Sequence, residues 1–392
     1  MELISDLTEQ RMKSMTTVLR CMKKELKKFK FSEQNDLPPN HLWLLKKRFE
    51  KRCLRGYFAW QTAVYLNEKK SGELPFLQQL PFVLEVTMTI LYYQNHLLDS
   101  KHGAMNPKHA RRTQTDYFRL LQHLHQYICA VFPDEDAARI TASIDRILAL
   151  VNEGQRLEVD FNTYESYLQL KTKRRPVFSR AAQQIMNMKI IDRYESMILE
   201  LLPRAGKKAH FLRIYLERIY LTNAAFYVET VRLIGDLLGK NNPELLKPLE
   251  EFAAGFGILK QIINDTADFV PAAFTKGTST KMPEDVFNDL QNKIITLPLF
   301  HYLTTKKRGL VFNVLKIDES SKSPFSALLQ LDLLEDMLET GSIGFSRNIV
   351  ERAATHLKEQ AGQQHPEFAN MCQVAYYNTF YKVYDHFERP KA

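Results

Sequence analysis

The sequence is short of the residues that break regular structure, with only 14 glycines and 16 prolines in 392 residues. That excludes collagen-like repeats and low-complexity disorder, which need far more of one or the other. Cysteine is scarce as well. The four copies, Cys21, Cys53, Cys129 and Cys372, lie far apart and form no Cys-x-x-Cys pair. Zinc-binding and dithiol redox readings therefore lack support. No apolar run approaches the roughly 20 residues that span a bilayer. The opening residues 1–6 have no basic-then-apolar signal pattern, so the expectation is a soluble, cytoplasmic chain with no transmembrane segment. Strand-like alternation between glycine turns is missing, and so is any repeat of solenoid period.

What is present is the helical period. Hydrophobic residues make up 45% of the chain, enough for a large core. Ile140, Ile144, Leu148 and Val151 form one stripe, and Phe211, Ile214, Tyr215, Ile219 and Phe226 form another. Leu42, Leu45, Phe49 and Cys53 form a third. Turn chemistry interrupts the pattern at residues 35–40, 71–75, 102–107, 132–134, 239–243 and 270–283. These features predict an all-α chain: an N-terminal basic helical extension over 1–40 and a helical bundle domain over 41–392. The net charge is +9, from 54 basic and 45 acidic residues, a balance that suits a polyanionic ligand. The basic residues are scattered and no nucleic-acid motif is found, so nucleic acid is not an expected partner.

The most informative stretch is Gln261-Ile262-Ile263-Asn264-Asp265-Thr266-Ala267-Asp268, at the end of a helix that starts near Pro243. Gln261, Asp265 and Asp268 stand at i, i+4 and i+7 and share a face, and Asn264 and Asp268 are also four apart. Oxygen donors in this pattern suit magnesium, a hard cation. Residues 252–259 before them are too apolar for a surface helix, so the polar end is expected to line a cavity.

Further segments fall in an order that resembles the trans-isoprenyl diphosphate synthases. The acidic stretch is similar to that family's Gln-x-x-Asp-Asp-x-x-Asp helix, with Asn264 in place of the first aspartate. A lysine-bearing loop follows, here with Lys276 and Lys281. Then comes a segment of the Asp-Leu-x-x-x-Lys-x-Thr-Leu-Pro kind from Asp289 to Pro298, with Lys293 offset by one residue. Lys51-Arg52-Cys53-Leu54-Arg55 resembles the Gly-Lys-x-x-Arg site, with Glu50 where glycine is usual. Glu153-Gly154-Gln155-Arg156-Leu157-Glu158-Val159-Asp160 resembles the family's Gly-Gln-x-x-Asp stretch, and Tyr167 to Thr172 resembles Tyr-x-x-x-Lys-Thr. The first aspartate-rich motif departs from the family's Asp-Asp-x-x-Asp. Asn95-His96-Leu97-Leu98-Asp99 stands there and keeps only Asp99.

The resemblance implies a class I isoprenoid synthase-like helical bundle around a central cavity. It implies magnesium held by Asn95, Asp99, Asn264, Asp265 and Asp268, against an allylic prenyl diphosphate. Lys171, Gln261, Lys276, Lys281, Arg111 and Arg112 would bind that substrate. Lys51, Arg52 and Arg55 would bind isopentenyl diphosphate. Asp99, Asp265, Asp268 and Lys171 would carry catalysis. The implied activity is a prenyltransferase, with a terpene cyclase or a non-catalytic partner subunit as the other functions of such a scaffold. A homodimer is the implied assembly.

Overall fold

In the computed structural model, residues 16–29, 45–46, 54–67, 74–99, 107–169, 176–202, 206–269, 287–306, 308–316, 325–362, 368–369 and 371–372 are described. Among them every regular element is helical, and one isolated bridge joins Thr163 to Ile294. None of these helices is long and apolar enough to cross a membrane. Two of the stripes seen in the sequence are core, with Ile140, Ile144, Leu148, Val151, Ile214 and Ile219 all buried; of the third, Leu45 is buried, and Leu42, Phe49 and Cys53 lie outside the described residues.

The chain forms two compact units. The first comprises Met1–Ala149 and Tyr227–Glu250, and the second Leu150–Phe226 and Glu251–Ala392. In the first unit, helix α1 covers residues 16–29, α2 Leu54–Leu66, α3 Leu80–Asp99 and α4 Pro107–Val131. Helix α3 is central because it is apolar on nearly every side, with Phe82, Val83, Leu84, Val86 and Ile90 fully buried. Its buried Glu85 carboxylate accepts the backbone N–H groups of Arg55 and Gly56 at 3.1 and 2.9 Å. Those are orphan donors at the start of α2, and a carboxylate both satisfies them and complements the helix dipole. Helix α1 lies inside the sequence-predicted N-terminal extension, yet Val18, Met22 and Phe29 are core residues. Its Glu25 accepts the Tyr127 hydroxyl of α4 at 2.6 Å.

Helix α5 spans Asp134–Phe161 and passes from the first unit into the second. The second unit continues with α6 Tyr164–Leu168, α7 Arg180–Ile185, α8 Met188–Leu201 and α9 Ala209–Ile219. A π-helical turn, Tyr220–Ala224, joins α9 to α10, Ala225–Leu237. Thr163, Ser179 and Asn187 cap α6, α7 and α8 by accepting a backbone N–H with their side chains. Gly239, at φ 63°, follows α10, and Pro243 opens α11, Pro243–Ala267, as the turn signals predict. The remaining helices are α12 Asn288–Gln291, α13 Leu297–Thr305, α14 Leu310–Lys316, α15 Ala327–Glu339 and α16 Ser342–Gly362.

Two glycines clamp the π-turn. A Cβ on Gly154 of α5 would stand 2.7 Å from Thr222 Cγ2, and one on Gly257 of α11 would overlap the Ala224 backbone. Asn223 donates to the Gly257 carbonyl at 2.6 Å. The close approach of α5 and α11 to this turn positions the acidic end of α11.

Candidate functional site

Helix α11 reaches its polar end through an apolar stretch: Phe252, Phe256, Ile258, Leu259 and Ile262 are 3% exposed or less. Asp265 follows and is 1% exposed. Three protein donors hold its carboxylate. Gln261 Nε2 donates to Oδ1 at 2.6 Å. The Tyr215 hydroxyl and Arg218 Nη2 donate to Oδ2 at 2.9 and 3.2 Å. Arg218, itself 3% exposed, also pairs through Nη1 with Glu158 of α5. Burial alone would weaken the guanidinium's hold on its proton. Glu158 and Asp265 outweigh that, with smaller help from Tyr215 and Asp289, and raise its pKa. Burial, then Asp265, keeps the Tyr215 phenol protonated far above its ordinary value.

Asp268 lies one residue past α11 and is fully buried. It caps α12: its carbonyl accepts the Phe287 N–H at 2.8 Å, and its Oδ2 accepts the Asp289 N–H at 3.1 Å. Phe287 adopts a left-handed conformation, φ 60°, to enter that helix. The far end of the same segment is tied to the end of α5. Tyr164 N–H donates to Lys293 O and Ile295 N–H to Asn162 O, both at 2.8 Å, while Asn162 Nδ2 donates to Ile295 O at 2.5 Å. The run from Asp289 to Pro298 is thus a strap between the ends of α11 and α5.

The i, i+4 spacing of Gln261 and Asp265 does put them together, as a hydrogen-bonded pair. Asn264, four residues before Asp268, is exposed. Asp265 carries three protein donors, on both of its oxygens, and Asp268 accepts the Asp289 N–H on Oδ2. Among the described residues no three carboxylate, histidine or cysteine side chains converge as a metal-holding group. Sequence reasoning missed Tyr215 and Arg218. The available signal was a cation placed inside the apolar stripe of α9, between Tyr215 and Ile219.

The other expected residues belong to the first unit or to segments outside the described residues. Asn95 is exposed on α3, whose last residue is Asp99. Arg55 sits with its guanidinium 5.7 Å from the Tyr227 ring centroid, and Arg111 and Arg112 are exposed on α4. Lys51, Arg52, Lys171, Lys276 and Lys281 lie outside the described residues.

No family model matches the sequence, and no curated protein matches it significantly. Solved structures do match. A decaprenyl diphosphate synthase from Rhodobacter capsulatus superposes with a TM-score of 0.62 at 12% identity, covering 95% of this chain and 99% of that one. A polyprenyl synthase from Caulobacter crescentus CB15, complexed with calcium and isoprenyl diphosphate, also reaches 0.62, at 13% identity over 96% of this chain and 98% of that one. A heptaprenyl diphosphate synthase from Staphylococcus aureus reaches 0.56 at 15% identity, over 93% and 99%. The chain therefore has the all-α fold of these synthases along nearly its whole length.

Proposed function

We propose that this chain is a prenyltransferase that condenses an allylic prenyl diphosphate with isopentenyl diphosphate. The observation that carries the reading is the fold shared with prenyl diphosphate synthases over 93–96% of the chain. The motif order in the sequence supports it independently. The chemistry asks for two things that these residues can supply. An allylic cation needs apolar surroundings that keep water away, and α11 is apolar and buried around Phe256, Leu259 and Ile262. A departing diphosphate needs positive charge. The candidates are Arg111 and Arg112, with Lys171, Lys276 and Lys281, and Arg55 with Lys51 and Arg52 for the second substrate.

Magnesium is part of this reading as an ion that arrives with the diphosphate, since Asp265 already holds Arg218, Tyr215 and Gln261. Asn95, Asp99, Asn264 and Asp268 are the candidate oxygen donors of the chain. We further propose a homodimer. A shallow groove on α4 is lined by Phe118, Leu121, Gln122, His125, Gln126 and Cys129, without a single Lys, Arg, Asp or Glu, and Phe118 is 58% exposed. Depletion of charge around an exposed aromatic is the composition of an interface core, and a second copy of this face is the assigned occupant.

The test is incubation with labelled geranyl or farnesyl diphosphate and magnesium, with and without isopentenyl diphosphate. Longer prenyl diphosphates that form only with both substrates bear the reading out. Hydrocarbons or alcohols formed from the allylic substrate alone, or no turnover at all, overturn it.

A further inference from the structure

We propose that Arg218 is the resident cation of the acidic end of α11: its guanidinium holds Glu158 and Asp265 in the place a divalent metal would take, so this wall binds no magnesium of its own. The inference goes beyond the prenyltransferase reading, and its test needs no prenyl substrate.

The geometry argues for it in three ways. First, the cation is built in. Arg218 is buried, and two of its nitrogens bridge carboxylates from two helices, α5 and α11. Its buried Nε has no acceptor, so charge pairing rather than full hydrogen bonding sets its position. Second, Asp265 is enclosed. Arg218 and Tyr215 occupy one oxygen and Gln261 the other. Magnesium demands close, octahedral oxygen contact, and to reach Asp265 it would have to displace these donors. Third, an ion that did reach Asp265 would sit beside a fixed positive charge at low exposure, where repulsion is poorly screened. Take the guanidinium away and the situation reverses. Glu158 and Asp265 lose their shared countercharge and Asp265 keeps only the neutral donors Tyr215 and Gln261, with Asp289 near enough to act on the same cluster electrostatically. Buried oxygen donors with unmatched negative charge are what a divalent cation binds.

Manganese, which reports its own binding by electron paramagnetic resonance, is the probe. The full chain would be titrated as wild type, Asp265→Asn, Arg218→Met and the double variant, first alone and then with inorganic pyrophosphate. Wild type and Asp265→Asn should bind manganese equally in both conditions. Arg218→Met should gain a site at least about tenfold tighter than any in wild type, and manganese should raise its melting temperature, as binding to the native state alone requires. The double variant should lose that site. Asp265→Asn weakening manganese binding in the otherwise wild-type chain overturns the proposal. So does an Arg218→Met protein with full helical content and no new site. If Arg218→Met fails to fold, the comparison of wild type with Asp265→Asn still decides.

Discussion

At the scale of single residues, the second unit holds titrating groups that should shape its acid sensitivity, and His301 and Asp336 act in separate windows. His301 hydrogen-bonds Ser342 at 2.9 Å and stacks on Phe345, and burial lowers its pKa from 6.5 to about 4. Between those values the unfolded chain binds a proton that the folded chain refuses, so stability falls as pH drops from 6.5 to about 4 and this contribution then levels off. Urea denaturation at a series of pH values should show this slope, and His301→Gln should make it shallower, leaving the part from His356, whose pKa burial and Arg193 also lower. Asp336 acts lower down. Burial pushes its pKa up, but hydrogen bonds from Lys306, Tyr302 and the Val311 N–H outweigh that and hold it below 3.8. Its folded pKa is depressed, so its stabilisation is present above 3.8 and is lost as pH falls through the lower folded value. Asp336→Asn should remove this second acid-dependent loss and leave the His301 slope in place. A wild-type stability that stays flat between pH 6.5 and 4 would refute the His301 assignment.

At the scale of elements, the crossings at the π-turn carry the sharpest steric demand. A Cβ at Gly257 meets the backbone of Ala224, which cannot swing aside as a side chain can. Gly257→Ala should therefore destabilise by about 3 kcal/mol, the upper part of the range for overpacked cores. Gly344, near the start of α16, is the matched control, because nothing lies within 4 Å of a Cβ there. Gly344→Ala should be neutral or stabilise by about 0.5 kcal/mol through helix propensity and lost unfolded-state entropy. Thermal melts of the two variants measure the contrast. Equal effects would mean that α11 does not press on the π-turn. The strap belongs to this scale as well. The segment from Asp289 to Pro298, read from the sequence as part of a substrate-binding motif, spends its backbone polar groups on Asp268 and Asn162. Whatever it does for a ligand, it also ties α11 to α5.

At the scale of the whole molecule, the proposed assembly rests on α4. Phe118→Glu should convert a dimer to a monomer in light scattering without changing helical content, because Phe118 packs little within its own chain. A wild-type monomer, or a dimer indifferent to this change, would remove the α4 face from the interface. Catalysis offers a second whole-molecule prediction. If magnesium arrives with the diphosphate, then Asn95→Asp, alone or with His96→Asp, adds carboxylates where α3 ends and should lower the magnesium concentration needed for half-maximal turnover. Magnesium titration of product formation reads this directly. Loss of activity in Asn95→Asp would show that the altered motif serves the reaction as it stands.

The sequence alone determined the helical class, because 3.6-residue periodicity and Gly–Pro punctuation are local properties that no later packing reverses. It located the acidic end of α11, put Gln261 and Asp265 on one face, and placed the breaks at Gly239 and Pro243. Tertiary structure decided what lies opposite. Spacing says which residues share a helix face but not what that face meets. Arg218 finds Asp265 from 47 residues away and Glu158 from 60, and only the packing of α5, α9 and α11 brings the three together. The same holds for α1, a basic helix by composition, whose Glu25 and Phe29 contact Tyr127 about a hundred residues later in the chain. An aspartate in a metal-like motif can be an open ligand or a buried anchor, and desolvation separates the two. A carboxylate sealed from water must be paired within the protein, and Asp265 is paired with Arg218.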